Sequence, residues 1–265
     1  MTIVHSLILG LIEGLTEFLP ISSTAHLIVA ADWLKIPDSE FLKSFLISIQ
    51  LGAILSVAVL YTKTIIKNPK LIWKITAAFI PTAIIGLAAY KLVKNYLMES
   101  LPIIAGALII GGLILIILEK YFSKKTLRST EIKQPNDSEL EAISYRQAAI
   151  IGTCQALAIV PGVSRSAATI MGGLSLGVSR KNIVEFSFLL AMPTMLAATA
   201  LDLYKNPPVL NQQELIIWAI GFITAFITAI LGIKFFLRYI QKNNFIAFGW
   251  YRIIVGLILI TYILI

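Results

Sequence analysis

Residues Gly10 to Ile28 read GLIEGLTEFLPISSTAHLI, an apolar stretch interrupted by two glutamates, two serines, two threonines and a histidine. An ionisable side chain at bilayer depth costs about 2.5–3.5 kcal/mol or more. A segment that only had to cross a membrane would therefore not carry Glu13, Glu17 and His26 together. The two glutamates are four positions apart and share one helix face. Pro20 has no amide hydrogen and disfavours helix before it, so a first helix is expected to break near Leu19. Ser22, Ser23 and Thr24 then offer N-caps for a second short helix that carries His26 one turn along. The stretch reads as helix, break, helix, with the polar groups gathered at the break.

The rest of the chain says what surrounds that break. Of its 265 residues, 58% are hydrophobic and only 14% charged, and long apolar runs recur. This is the composition of a polytopic helical membrane protein. The net charge of +8 is high enough for a nucleic-acid partner. The cations lie mostly between apolar runs, however, which is the positive-inside pattern, and no nucleic acid is expected. Cys154 is the single cysteine, so no internal disulfide forms, and its apolar neighbours mark it as a packing residue. No basic n-region or small-residue cleavage site precedes the glutamates, so no removable signal peptide is expected.

After a polar link from Asp32 to Lys43, apolar segments are expected at about Ser44–Tyr61, Ile75–Ala89 and Leu101–Leu118. The middle one is short for a ~30 Å hydrocarbon core, and Lys74 and Lys91 at its ends would snorkel to compensate. Residues 123–146 form a polar linker, with Ser138 and Glu141 spaced as a capping box for a helix starting near Ser138. The second half then repeats the first at an offset of 142: Gly10 falls on Gly152, Glu13 on Gln155, Ser22 on Ser164, Ala25 on Ala167 and Ile28 on Ile170. Pro161–Thr169 (PGVSRSAAT) thus replaces PISSTAH, and three more segments follow at about Ile183–Leu203, Leu215–Ile233 and Phe245–Ile265. Two repeats, 1–122 and 147–265, make one integral membrane domain.

The fold expected is an all-α polytopic membrane protein with an inverted-topology repeat: six transmembrane helices plus two re-entrant helix–loop–helix hairpins. Three crossings after each hairpin reverse the second repeat, so the two breaks come from opposite faces and can meet near the midplane. The alternative is that each hairpin spans fully. The re-entrant form is preferred because irregular backbone at membrane depth needs a buried or wet site. In that topology fifteen Lys and Arg fall on one face and five on the other. The first face is then cytoplasmic, both termini lie outside, and the first hairpin opens outward.

Arg165 gives the second break its chemistry, because a guanidinium binds phosphate oxygens two at a time. If the breaks meet, two helix N-termini aim free amides at one spot, which is an anion site before any side chain is counted. Glu13 and Glu17 beside it would hold a divalent metal, Mg2+ or Ca2+, bridged to phosphate oxygens. Ser23 one turn from His26 has the spacing of a nucleophile and its base. Ser22, Thr24, Ser164, Ser166, Thr169 and Gln155 complete the candidate substrate contacts. Each also has a plainer reading: the glutamates as helix-packing groups, His26 and the serines as caps, Arg165 as a structural ion pair. Direct attack by water would leave both Ser22 and Ser23 as binders. Arg252, near the last segment, reads as structural or interfacial, and Trp33, Trp73, Trp218 and Trp250 as an interfacial belt.

These parts resemble the bacitracin-resistance family of undecaprenyl-diphosphate phosphatases over nearly the whole chain. The glutamate-rich motif matches Glu13 to Pro20, followed by Ser22, Ser23, Thr24 and His26. The second motif matches Pro161 to Ser166 and Thr169, with smaller echoes at Gln50-Leu51-Gly52 and Tyr251-Arg252. Ala25 and Ala167 stand where glycine is expected in many members. The resemblance implies hydrolysis of undecaprenyl diphosphate to the monophosphate carrier of cell-wall precursors. It also implies a divalent-metal requirement, a site facing outward from a bacterial plasma membrane, and often a homodimer. A transporter or lipid flippase is the rival class, since inverted repeats with broken helices are transporter architecture. The serine–histidine pair beside Arg165 separates the two, because transport does not need it.

Overall fold

The computed structural model describes residues 1–96, 100–128, 139–205, 207 and 211–264. Helix α1 (Ile3–Thr16) starts on the hydroxyl of Thr2, which accepts from the His5 amide, and α2 (Ser23–Trp33) follows the first break. Then come α3 (Glu40–Lys67), α4 (Pro69–Tyr96) and α5 (Leu101–Arg128). A short 3-10 turn at Glu139–Ala142 precedes α6 (Tyr145–Gln155), and a second one at Ala156–Ile159 leads into the second break and α7 (Arg165–Ser175). Helices α8 (Arg180–Lys205), α9 (Gln212–Lys242) and α10 (Ile246–Leu264) end the chain. No strand occurs among the described residues.

Six helices, α3, α4, α5, α8, α9 and α10, are long and apolar enough to cross a membrane, so this is a multi-pass membrane protein. Helix α1 has 14 residues and α2, α6 and α7 have 11 each. At ~1.5 Å per residue these legs reach only about 16–21 Å, short of a ~30 Å core. The breaks are what shorten them. Helix α1 stops at Thr16, earlier than the expected break near Leu19, and the Leu19 and Ile21 amides close tight turns onto Thr16 and Leu19.

Several expectations are corrected at the helix ends. The spans run longer than their apolar runs because polar caps extend them: Ser39 caps α3, and Asn211 with Glu214 forms a capping box on α9. Among the described residues, the stretch of α4 long and apolar enough to cross a membrane is Pro69–Ala89, which starts six residues before the expected Ile75 and takes in Lys74. Lys74 does not snorkel outward but lies 8% exposed, with its ammonium 5.9 Å from the centre of the Tyr145 ring. The Lys91 side chain lies outside the described residues. So does Ser138, and the capping box that starts α6 is Ser144 with Gln147 instead.

The first break sits in the main core. Phe18 and Ile21 are buried among α3, α8 and α9 side chains, and Phe18 meets the Phe188 ring edge-on at 5.1 Å. Helix α1 packs on α9 and α6 on α4, while α3 packs on α8 and α5 on α10. The close approaches use glycine: a Cβ at Gly14 would strike α9, and one at Gly152 would strike the Ala78 carbonyl of α4. The same hydrogen bond recurs at both crossings. Thr228 Oγ1 donates to the Gly10 carbonyl (3.3 Å) and Thr82 Oγ1 to the Gly152 carbonyl (2.6 Å). Substituting Gly152→Leu forces α6 away from α4, an overpacking cost of about 1–3 kcal/mol or more. The expected result is a lowered thermal midpoint and aggregation on size exclusion in detergent, with Gly106→Leu, whose Cβ meets nothing within 4 Å, as the unaffected control.

Candidate active site

Both breaks turn on a serine in a backbone conformation that serine avoids. Ser22 has φ 71° and Ser164 φ 72°, and Gly162 beside the latter has φ 91°. Such residues cost about 1–3 kcal/mol each and persist where the surroundings hold them. Here the holder is Arg252. It is fully buried and donates to five backbone carbonyls: Pro20 (3.1 Å) in the first break, Gly162 (2.9 Å) and Val163 (2.9 Å) in the second, and Ala107 (3.0 Å) and Leu108 (3.4 Å) on α5. All five guanidinium N–H groups are used, and no carboxylate is among the partners.

With the breaks locked together, polar groups from both halves of the chain meet. Glu17 takes two partners: Ser23 donates its hydroxyl to one carboxylate oxygen, and Arg165 approaches the other at 3.2 Å. Arg165 is anchored from behind by the Ser187 carbonyl (2.8 Å) and crosses the Phe18 ring, 6.0 Å from its centre. Its Nε is buried without a partner. Thr169 bonds the Ser187 hydroxyl at 2.6 Å and back-bonds the Arg165 carbonyl, so it holds α7 rather than facing the site. Ser166 ties α7 to the first break through the Phe18 carbonyl (2.8 Å).

The two helix N-termini differ. Ser164 caps α7 by accepting from the Ala167 amide (3.2 Å). Ser22 stands at the N-cap of α2 but makes no capping bond, so the expected serine cap is absent and the first amides of α2 stay open to an anion. Ser22, Ser23, Thr24, Gln155, Ser164, Arg165 and Glu17 all line one cavity of about 580 Å3.

The hydrogen bonds of His26 go to groups other than Ser23. Its Nδ1 bonds the Ser22 carbonyl (2.7 Å) and its Nε2 the Tyr251 hydroxyl (2.7 Å). A carbonyl can only accept, so Nδ1 carries a proton. Gln155 donates to Thr82 (3.1 Å) and Thr194 (2.9 Å), and its buried amide oxygen has no partner. Ser187 and Tyr251 are the partners that residue reading missed. Ser187 carried no signal as a lone serine in an apolar span, whereas Tyr251 was quoted with Arg252 but not linked to His26.

Glu13 is fully buried, and neither of its carboxylate oxygens has a hydrogen-bond partner, although Glu17 is close enough to act on it electrostatically. A buried carboxylate with no donor is costly unless a cation meets it. A pair of carboxylates, with no third His, Cys, Asp or Glu clustered on them among the described residues, leaves most of a divalent ion's coordination to phosphate and water.

A serine held by a carboxylate, a guanidinium across from it and open helix amides, all inside a bundle of membrane-length helices, mark an integral membrane protein with a polar pocket whose donors suit an anion. The sequence comparison narrows the class: the profile of the bacitracin resistance protein BacA family matches residues 6–258, and the chain belongs to that family. It is 46% identical over 264 residues to an undecaprenyl-diphosphatase of Aquifex aeolicus, covering 100% of both chains. Similar proteins of the same name from Campylobacter jejuni (49% over 255 residues, 96% of this chain and 92% of the relative) and Bdellovibrio bacteriovorus (44% over 260, 98% and 95%) agree.

The Arg252 clamp makes its own prediction. Arg252→Lys keeps the charge but has three donors in a different geometry, and each break carbonyl (Pro20, Gly162, Val163) left unpaired costs about 1–3 kcal/mol. The thermal midpoint in detergent is expected to fall by roughly 5–20 °C.

Proposed function

We propose that this chain hydrolyses undecaprenyl diphosphate to undecaprenyl phosphate and inorganic phosphate, returning the lipid carrier to cell-wall synthesis and conferring bacitracin resistance. The observation that carries the reading is the Ser23–Glu17–Arg165 arrangement, joined to full-length relatives named undecaprenyl-diphosphatase. The serine–histidine pair expected to separate hydrolysis from transport is not formed, since Ser23 bonds Glu17 and His26 bonds Tyr251; the names of the relatives favour hydrolysis.

The diphosphate enters the cavity with its terminal phosphate between Arg165 and the open N-terminus of α2. Arg165 shifts its free donors from Glu17 to phosphate oxygens, and the α2 amides offset the charge that develops there. Ser23 Oγ attacks the terminal phosphorus and its proton passes to Glu17, which takes the base role that spacing alone offered to His26. The phosphoanhydride bond breaks and undecaprenyl phosphate leaves. Water then cleaves the phosphoserine, Ser23 recovers its proton, and inorganic phosphate departs. Glu13, with Glu17 beside it, would hold Mg2+ or Ca2+, which supplies positive charge toward the phosphates when bound. His26, fixed by Tyr251, steadies the Ser22 carbonyl and with it the turn that presents Ser23.

Orientation follows the same reading. The two hairpins are tied to opposite ends of the bundle: Ser6 of α1 bonds Ile217 near the start of α9 (2.6 Å) and Asp32 of α2 bonds Tyr262 at the end of α10 (2.7 Å). At the other end Gln147 of α6 bonds Leu176 after α7, and Arg180 pairs with Glu119 of α5. These ties and the exchanged helix pairings support an inverted repeat with two re-entrant hairpins in the bacterial plasma membrane. The lysine-rich end is then cytoplasmic and the first hairpin opens outward. Pairing of two copies belongs to the same proposal.

Purified protein should release inorganic phosphate from undecaprenyl diphosphate in detergent. A chelator should abolish the release and Mg2+ or Ca2+ restore it. Arg165→Ala, Glu17→Gln and Ser23→Ala should each lose about 100-fold or more, the scale of removing a preorganised charge or the nucleophile. Full activity in Ser23→Ala would hand the attack to water, and no release from folded wild type would sink the function.

A further inference from the structure

The cavity does not end at the phosphoryl site. From Glu17, Ser23 and Arg165 it continues between α4 and α8, and beyond Thr82 and Thr194 every lining residue those two helices contribute is apolar. Those threonines follow Pro81 and Pro193, the prolines inside α4 and α8. Each proline removes one rung of its helix ladder, and Gln155 bridges the two helices at that level by donating to both threonines.

Past this bridge the burial changes. Helix α8 is buried at nearly every position from Asn182 to Ala191, but Leu196, Ala197, Ala198 and Ala200 are exposed. On α4, Ile84, Ile85, Leu87 and Ala88 are exposed as well. The two C-terminal helix halves therefore form a seam on the apolar outer surface of the bundle. Gly86 lines it, and a Cβ there would meet nothing within 4 Å. The opposite flank of the site is shut: Ala25 of α2 packs against Ile104, Ala105 and Leu108 of α5 and Leu259 of α10.

We infer that the α4–α8 seam is the binding site for the apolar chain of the lipid diphosphate, which passes sideways into the bilayer there, with Gly86 and Ala198 setting its width. A diphosphate held at Arg165 must send its attached chain along an apolar path continuous with the site, and this seam is such a path. Small side chains on both walls leave room for branched methyl groups, and the Gln155 bridge marks where polar lining gives way to apolar. The identity of the chain as prenyl rests on the proposed function; the direction of the path rests on the cavity alone.

The test is photolabelling of the full-length protein in detergent by a prenyl diphosphate carrying a diazirine on its second isoprene unit. Mapped adducts are expected on residues 79–87 and 194–201. Gly86→Phe, which projects into open space, should cut labelling by about tenfold or more, the scale on which filling an apolar pocket discriminates. Ala198→Phe should do the same from the other wall, while Gly86→Ala should label like wild type. Adducts on α5 or α10, or labelling unchanged in both Phe variants, would overturn the assignment. Phosphate release is measured on the same samples. Release without seam adducts removes this inference and leaves the hydrolase; seam adducts without release remove the hydrolase and leave the inference.

Discussion

The structure depends on one guanidinium. Two breaks buried among apolar helices expose carbonyls that have no helical partner, and each such group left unpaired away from water costs several kcal/mol. Arg252 answers five carbonyls at once, three of them in the breaks and two on α5. It reaches them because Gly111 and Gly112 of α5 leave no Cβ in its way, so α10 lies close enough for the side chain to pass beneath both turns. The carbonyl dipoles stand in for a counter-ion, and the carboxylates are left to the site on the other side of the breaks.

That arrangement divides the chemistry between the halves of the chain. The first break supplies carboxylates and the serine, and the second supplies Arg165. Neither half holds the whole cluster, because the Arg165–Glu17 pair spans 148 residues of sequence. Arg165 is held on three sides at once, by Glu17, by the Ser187 carbonyl and by the Phe18 ring. Where the first half has Glu13 without a partner, the second has Gln155 bonded to two threonines.

What reads from the sequence is whatever violates a rule of the membrane. Glutamates, a histidine and an arginine in apolar runs, with prolines beside serines, are too costly at depth to be incidental, so the breaks, Glu13, Glu17 and Arg165 could be named from residue types alone. Six apolar runs likewise became six long helices, because hydrocarbon leaves a lone backbone segment no other way to satisfy itself. The offset of 142 matched Ser22 with Ser164, and both adopt the same rare φ.

What only the tertiary structure decided is partnership. Spacing placed Ser23 with His26 on one helix face, but the tight turn after Thr16 folds Glu17 back across the break and gives it the serine, while His26 turns to Tyr251, 225 residues away. Lys74 looked like a snorkelling end-charge and is instead covered by the Tyr145 ring. Ser187 carries no signal in the sequence, yet its carbonyl anchors Arg165. Local rules of propensity and cost fix which groups must be satisfied. Which groups satisfy them depends on packing between helices far apart in the chain, and that is settled only when the helices meet.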